Sequence, residues 1–264
     1  MLYCQQRYDC ESIGFIEFKV INMAINRDSE LFNKVVKSYW EYYRELEDEF
    51  LMTRRYVDFE EKNFTTYSVE YLKLYQAVCS EIDVVGKAMA QIADPSFKAE
   101  DKQNNIYKWW FVVQDEFLLT DGPFTPMNPT SSAVRIGLRD YKCALLGNYE
   151  FNPWAGFVIE KTRNAKNAEY FKNAQGSDTP KWWKEYNAVK HHRISINNTM
   201  ANYEKANLGN VCRAFAALYI LERALMDTVG NEDDLQTFVD FSRLFIKRRR
   251  YTSKEMDQLL EAIK

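Results

Sequence analysis

The sequence is poor in the residues on which metal and thiol chemistry depend. Its two histidines, His191 and His192, point in different directions and lack a third ligand at a suitable spacing, so no metal site is predicted. The five cysteines are odd in number and show no CxxC spacing, which is typical of free thiols in a reducing compartment. We therefore expect a cytoplasmic protein without a metal or another cofactor, in which Cys4 and Cys10 pair only if the chain is exported.

Strong net charge and long apolar runs are also missing. With 35 basic and 38 acidic residues the formal net charge is −3, which excludes binding of polyanions through overall charge and leaves nucleic-acid contact to local patches. No apolar run approaches the roughly 20 residues of a membrane span, so no membrane association is expected. The first residues lack a basic segment followed by an apolar one, and no secretory signal is predicted.

Two common catalytic patterns are absent as well. Ser195 lies close to the histidines, but no G-x-S-x-G elbow surrounds it, so a serine hydrolase is not expected. Glu47 and Glu81 lie on two long predicted helices, yet the E-x-x-H pairs that a di-iron bundle requires do not occur. The sequence also has no internal repeat and no low-complexity tract.

The sequence does contain a dense apolar pattern with a helical period. Hydrophobic residues make up 46% and aromatic residues 15% of the 264 residues, as expected for a packed domain. Apolar residues recur at helical spacing from Asp28 or Ser29 to about Val57, and again from position 69 to the Asp94–Pro95 pair. Two long helices joined by a short loop predict an antiparallel hairpin.

The remaining chain divides around this hairpin. Residues 1–27 differ from the helical pattern and are interpreted as an N-terminal extension, with either Met1 or Met23 as the native start. Residues 28–264 are predicted to form a single helical-bundle domain, and the helix within 203–229 is predicted to be the most deeply buried.

An irregular insertion is predicted at about 121–178, which holds most of the glycines and prolines. AVRIGL, KCALL and GFVIEK within it are strand candidates, and NIYKWWFVVQDEFLL just before it favours a helix, with a strand as the alternative. Long irregular segments inside compact domains are usually functional or mobile. The insertion is therefore either a wall or lid over the polar helix at 180–198, or a surface elaboration.

That polar helix combines aromatic rings with a dense set of polar groups. Thr179 and Pro180 predict its start, since threonine can cap a helix and proline suits the first helical position. On a helical period one face carries Trp183, Asn187, Lys190, His191 and Ile194. The neighbouring face carries Trp182, Tyr186, Val189 and Arg193. The candidate site is therefore a row of imidazole, amide, ammonium and guanidinium groups between aromatic rings.

The order of the helices resembles that of HEPN-like helical domains of prokaryotes. The resemblance runs from an acidic helix with ELEDEF, through one with EIDVVGK, to WWKEYNAVKHHR and ANLGNVCRAFAALYILERA, and covers about 28–93 and 179–229. It implies a four-helix bundle that often dimerises. It further implies a metal-independent ribonuclease of antiphage-defence, toxin–antitoxin or abortive-infection systems, or a relative that binds nucleotides or only mediates assembly.

The usual catalytic signature of that superfamily is an arginine followed, after four to six residues, by a histidine. The positions where the arginine would stand hold Lys184, Glu185, Tyr186 and Asn187. Lys184 is the nearest substitute, with Lys190 and Arg193 as cations on other turns. The sequence therefore matches the superfamily better than it matches the nuclease subset.

The residues themselves allow a metal-independent cleavage of RNA, which needs an acid, a base and cations around the phosphorane. We assign the proton transfers to His191, with His192 beside it, the orientation of the imidazole to Asn187, and phosphate stabilisation to Lys190 and Arg193. In the alternative interpretation, Asn187 and His191 satisfy each other or the backbone at a packing surface. Lys190 and Arg193 then pair with acidic residues of the first two helices.

Weaker patterns also point to nucleic acid. Trp182 and Trp183 are candidates for stacking on bases, although such residues more often belong to the core. Candidate contacts with a nucleic-acid backbone are Lys184, Lys247, Arg248, Arg249 and Arg250. For the cluster at 247–250, a solvated helix end is the alternative.

Together these observations predict a mainly α-helical protein of HEPN-like four-helix-bundle type, with an irregular insertion and C-terminal helices. We expect an RNA-directed defence or stress protein that forms a homodimer and acts as a metal-independent endoribonuclease, with an antidote or another defence-system protein as partner. The alternatives are a non-catalytic interaction module or nucleotide or RNA binder, and a small-ligand sensor that uses the insertion as a lid.

Overall fold

The protein is mainly α-helical, as the sequence predicts. A computed structural model describes residues 27–101, 104–121, 134–159, 179–194, 201–237 and 242–245. The predicted extension at 1–27, apart from its last residue, and the basic cluster at 247–250 lie outside these ranges. Within them, no helix is both long and apolar enough to cross a bilayer.

The first predicted helix consists of three consecutive segments, α1 (Ser29–Val35), a π-helical turn (Val36–Trp40) and α2 (Glu41–Thr53). Its predicted start is confirmed, because Oδ1 of the cap residue Asp28 accepts the N–H of Glu30 at 2.8 Å. Its end at Thr53 comes before the predicted Val57. Because a π-helical turn holds more residues than an α-helical turn, it changes which side chains of α2 face the core.

The second predicted helix is confirmed as α3 (Val69–Ala93). Oγ of Ser68 accepts the N–H of Tyr71 at 3.1 Å, and Asp94 adopts an extended backbone before Pro95, so both ends follow the predicted signals. At one end of the pair, the rings of Phe50 and Tyr71 lie 6.2 Å apart. Farther along, burial and the nearby charge of Glu81 raise the pKa of the Tyr39 hydroxyl, so Tyr39 of the first helix lies close to Glu81 of α3. The two helices therefore run antiparallel, as predicted.

The helix predicted to be most buried is α6 (Leu208–Val229), and most of its residues are inaccessible to solvent. Asn207 caps it, with Oδ1 accepting the N–H of Asn210 at 3.0 Å. Its most extensive helix contact is with α3. On its other side the Phe215 ring stacks on Phe50 at 4.8 Å. A short helix, α7 (Glu232–Thr237), follows.

The segment for which a helix or a strand is predicted forms both. It begins as α4 (Ile106–Val113), which is capped by Asn105 and packs on α3, and continues as strand β1 (Leu118–Asp121). The buried Trp109 ring lies directly over Gly86 of α3. A glycine at this point lets α4 approach α3 closely.

Two small antiparallel sheets are formed by the described part of the insertion together with β1, the strand just before it. They pair β1 with β2 (Val134–Gly137) and β3 (Cys143–Leu145) with β4 (Tyr149–Phe151). Strands in AVRIGL and KCALL are confirmed. The described part of GFVIEK, 156–159, is not a strand, because the Gln114 side chain takes the place of a neighbouring strand. It donates to the Ile159 carbonyl at 2.7 Å and accepts the Ile159 N–H at 3.0 Å.

The described part of the insertion belongs to the core. Trp154 is inaccessible to solvent, stacks on Trp110 at 4.5 Å and donates from Nε1 to the Ala217 carbonyl of α6 at 3.2 Å. The Trp110 Nε1 donates to the Phe157 carbonyl at 2.8 Å. Residues 143–159 are therefore an integral layer of the domain rather than a surface elaboration.

A buried carboxylate on α2 anchors residues 242–245. Glu47 is inaccessible to solvent and accepts the N–H of Arg243 at 3.0 Å and that of Leu244 at 3.1 Å. The Leu244 carbonyl in turn accepts the N–H of Leu146 at 2.7 Å. This arrangement, the Glu47 anchor, joins the first helix, the insertion and the last described segment.

Candidate functional site

The polar helix of the sequence is α5 (Lys181–His191). The predicted cap at Thr179 is wrong: Pro180 has extended ψ, and its carbonyl accepts the first helical N–H groups, from Trp183 at 2.9 Å and Lys184 at 3.1 Å. The helix is shorter than the predicted 180–198 polar run, because His192 leaves helical geometry with φ −142° and ψ 66°. Arg193 and Ile194 therefore do not lie on the predicted helical faces.

The aromatic residues of α5 fix the helix to the domain. Trp182 and Trp183 are 3% and 6% exposed, and Tyr186 is buried as well. The Trp182 Nε1 donates to the Pro153 carbonyl at 2.9 Å, and its own carbonyl accepts the hydroxyl proton of Tyr75. Trp182 and Trp183 thus serve as core residues that position α5, and stacking on a base would require their rings to move.

The polar residues of α5 and the two residues that follow it lie away from this buried aromatic face. Lys190, His191, His192 and Arg193 are exposed, and Asn187 is half-buried. Among the described residues, the side chains of Asn187 and His191 make no hydrogen bond, and Lys190 has no carboxylate partner. Its Nζ lies 5.6 Å from the centre of the Tyr186 ring.

Arg193 contacts an amide rather than an acid. Its Nη2 donates to Oε1 of Gln76 on α3 at 3.4 Å. Neither mutual satisfaction of Asn187 and His191 nor pairing of Lys190 and Arg193 with acidic residues occurs within the described chain. The alternative interpretation of these residues as a self-satisfied packing surface is therefore not what this part of the structure contains.

Three of the predicted site residues, Trp183, Asn187 and Lys190, line a cleft of about 380 Å³ between α3 and α5, which we call the α3–α5 cleft. Its other polar lining residues are Ser80, Asp83, Lys87, Asn104, Asn105, Tyr107 and Thr179. His191, His192 and Arg193 are not among the lining residues and lie at the exposed end of α5. The structure thus brings together the amide and one cation of the predicted set, and leaves the imidazoles beside the cleft.

The charges of the α3–α5 cleft are unequal. Asp83 is committed to two donors, the Nζ of Lys87 at 2.6 Å and the Nε1 of Trp109 at 3.0 Å. Lys190 adds a positive charge with no described counterion. The cleft therefore favours an anionic ligand. Sequence reasoning missed Asp83 and Lys87, and their spacing of four residues on α3 was the only signal of them.

A second cleft, of about 540 Å³, lies at the start of the same helix, and we call it the Arg213 cleft. Its residues come from the loop after α2, from β4 and the turn after it, from the first turn of α5 and from α6. They are Glu61, Phe64, Tyr149, Glu150, Phe151, Asn152, Pro153, Ala155, Pro180, Lys181, Trp182, Asn210 and Arg213. The helix singled out by the sequence is thus a wall shared by two clefts.

Two buried carboxyls lie apart from both clefts. Glu222 of α6 is 1% exposed, and neither carboxyl oxygen has a hydrogen-bond partner within the described chain. Burial raises the pKa of Glu222 well above its usual range, with repulsion from Glu81 as a further cause, and burial raises the pKa of Glu81 to about 7. No group of three or more metal-ligating side chains occurs in the part of the chain described. The Glu222 carboxyl is therefore a protonated element of the core at neutral pH.

Two features carry the resemblance described from the sequence. They are the helical architecture and the N-x-x-K-H-x-R run that begins in α5 and ends just beyond it. The architecture is mainly helical, with α3 and α6 at its centre. The run is present as Asn187, Lys190, His191 and Arg193. Comparisons of the chain with protein-family models, with curated proteins and with solved structures return no match.

Proposed function

We propose that the protein is an RNA-directed binding protein of HEPN-like type, which holds phosphate groups of RNA at the α3–α5 cleft and the exposed end of α5. One observation supports this most directly. The side chains of Asn187, Lys190 and His191 have no hydrogen-bond or ion-pair partner among the described residues, although they are adjacent on a helix held rigidly by its buried aromatic face.

The chemistry of the cleft suits a phosphodiester. Lys190 supplies an ammonium group with no ion-pair partner among the described residues, and Asn187 supplies an amide that can donate to a phosphate oxygen or a base edge. Lys87 adds a second ammonium group, which is paired with Asp83 at 2.6 Å. Each phosphate neutralised on a single strand contributes about −0.7 to the slope of log K against log salt. The one uncompensated cation of the cleft, Lys190, predicts a slope of about −0.7 for the isolated cleft.

RNA binding is tested by fluorescence anisotropy with a labelled single-stranded RNA at several salt concentrations. Lys190→Gln should weaken binding about tenfold and reduce the magnitude of the salt slope by about 0.7. Lys37→Gln is the matched control, because Lys37 is exposed on the π-helical turn and lines neither cleft. Equal affinities of both variants and the unmodified protein would refute the proposal and favour the non-catalytic interaction module, with an antidote or another protein as its partner.

A second candidate function is metal-independent cleavage of the bound RNA. It is favoured by the exposed imidazole of His191, which follows Asn187 by one helical turn and directly follows Lys190. A positioned imidazole contributes about 10²- to 10⁴-fold to a proton-transfer step. A homodimer that joins two copies of α5 would supply an acid and a base in one cleft.

Cleavage is tested with purified protein and RNA in EDTA, alongside a measurement of molecular mass in solution. His191→Ala should abolish cleavage, whereas His192→Ala, which alters the residue just outside the helix, should reduce it less. RNA binding without any cleavage would reject the endoribonuclease and leave the binding proposal intact. Cleavage that persists in His191→Ala would show that the acid and base lie elsewhere.

A further inference from the structure

We infer that the Arg213 cleft is a second ligand site, which takes a small molecule with a planar ring and a single oxyanion, either a phosphate or a carboxylate. This site is separate from the α3–α5 cleft, because the two share no lining residue and lie on different sides of α5. Its volume of about 540 Å³ lies within the range of roughly 300–1,000 Å³ typical of small-molecule sites.

The first support is an arginine that has no counterion among the described residues. Arg213 is half-buried on α6, and no carboxylate forms an ion pair with it in the described chain. Its guanidinium carbon lies 5.8 Å from the centre of the Phe151 ring, which holds the group over an aromatic face. A planar guanidinium that is removed from water on one side is suited to bidentate binding of a phosphate or a carboxylate.

A glycine one turn before Arg213 sets its position. A Cβ atom at Gly209 would lie 3.0 Å from Nη1 of Arg213 and 3.0 Å from Cβ of Phe64. The absence of that atom lets the guanidinium lie back along α6, over the Phe151 ring. The anion-binding group is thus placed by backbone packing and not only by its own rotamer.

The second support is the start of α5, which faces the same cleft. The Pro180 carbonyl accepts the N–H groups of Trp183 and Lys184, but its side chain cannot cap those of Lys181 and Trp182. Lys181 is exposed, and its Nζ is 3.9 Å from Glu185, at the limit of an ion pair. The helix dipole, Lys181 and Arg213 together favour a negative charge at this end of the cleft.

The third support is the rest of the wall, which is aromatic with acceptors at its edge. The half-exposed rings of Phe64 and Tyr149 meet edge to face at 5.6 Å and offer faces to a planar ring. Glu61 and Glu150 bring two carboxylates, and Oδ1 of Asn152 has no hydrogen-bond partner in the described chain. These acceptors favour a ligand with hydroxyl or amino donors, and they disfavour a polyphosphate.

Binding is tested by titration of the full-length protein and by the fluorescence of Trp182, which lines the cleft. The probes are AMP (ring and phosphate), benzoate (ring and carboxylate), inorganic phosphate and adenosine. AMP or benzoate should bind at least tenfold more tightly than inorganic phosphate or adenosine, and whichever of the two binds identifies the oxyanion. Inorganic phosphate that binds as tightly as AMP, or the failure of both ring anions to bind below about 10 mM, would overturn the inference.

Variants separate this site from the RNA-binding proposal. Arg213→Gln should weaken the ring anion at least tenfold, and Arg213→Lys should recover only part of this loss, since lysine lacks the bidentate fork. Lys181→Gln, at an exposed position, should weaken binding two- to fivefold, while Lys37→Gln should change nothing. RNA affinity should be unchanged in Arg213→Gln. Loss of AMP binding in Lys190→Gln, with binding retained in Arg213→Gln, would place the ligand in the other cleft and refute the inference.

Discussion

Replacement of Gly86 by alanine tests whether α4 is seated on α3 as described. A Cβ atom at this position would lie 2.6 Å from two carbons of the Trp109 ring and 2.7 Å from a third. Carbon atoms normally pack at about 3.5–4.0 Å, so the overlap is about 1 Å. The ring cannot give way, because it is inaccessible to solvent, donates from Nε1 to Asp83, and meets Trp110 and Trp154 edge to face.

Two opposing effects set the magnitude. Alanine gains about 1 kcal/mol over glycine in a helix interior. Overpacking costs about 1–3 kcal/mol and more where neighbours are locked, as Trp109 is here. We expect Gly86→Ala to lower the free energy of unfolding by about 2 kcal/mol, measured as a shift of the urea midpoint at unchanged slope.

A double-mutant cycle identifies the cause. Trp109→Leu removes the obstructing ring, so Gly86→Ala in that background should be neutral or stabilise by up to about 1 kcal/mol, a coupling of about 2–3 kcal/mol. Ser80→Ala is the control, since it lies on the exposed side of α3 and should only gain about 0.5 kcal/mol of helix propensity. A stabilising Gly86→Ala, or a penalty unchanged in Trp109→Leu, would refute the close packing of α4.

Three further predictions concern buried polar groups. Because burial raises the pKa of Glu81 from 4.5 to about 7, its stabilising effect is present below pH 4.5 and lost as the pH rises through 7. In urea denaturation, Glu81 should account for about 1.5–2 kcal/mol of the stability lost between pH 4.5 and pH 8, after a discount of about half for solvent near the carboxyl. Glu81→Gln should remove this share of the loss and leave the share of Glu222, whose pKa burial also raises; a loss unchanged in Glu81→Gln would contradict the assignment. Glu47→Ala should lower the free energy of unfolding by about 3 kcal/mol and speed amide hydrogen exchange at residues 243–244, because it removes charge-assisted bonds to two backbone N–H groups; unchanged protection there would contradict the Glu47 anchor. Burial raises the pKa of three thiols, so they should not react with iodoacetamide in the native protein and should be alkylated in denaturant, as measured by mass spectrometry. Rapid alkylation of the native protein would refute their burial. They are Cys79, Cys143 and Cys212.

The long helices could be predicted from the sequence because each buries one continuous apolar stripe. The start of the first helix at Asp28 was visible too, since a capping side chain acts within three residues of its own position. The π-helical turn (Val36–Trp40) left no comparable signal. The false strand at 156–159 arose because an apolar run can be satisfied by a distant side chain, here Gln114, as well as by a neighbouring strand.

The candidate site was predictable only where it lies on one helix. The sequence located α5 and its polar residues, because those residues are close along the chain, but it left open whether they have partners. It did not identify Lys87 or Arg213, since each reaches the walls of its cleft from a helix remote in sequence. Nothing in the local sequence distinguishes a charged helix residue that lines a cleft from one that lies on an ordinary solvent-exposed face.

The Glu47 anchor has a consequence for biosynthesis. The N–H of Arg243 that meets this carboxylate is translated 196 residues after it. At about 5–20 residues per second, the ribosome needs roughly 10–40 s to supply that partner. Throughout this interval the nascent first helix carries a carboxylate that the completed core will enclose. The first described helix is therefore among the last elements to reach its final surroundings, and its apolar face stays open to a ribosome-bound chaperone during that time.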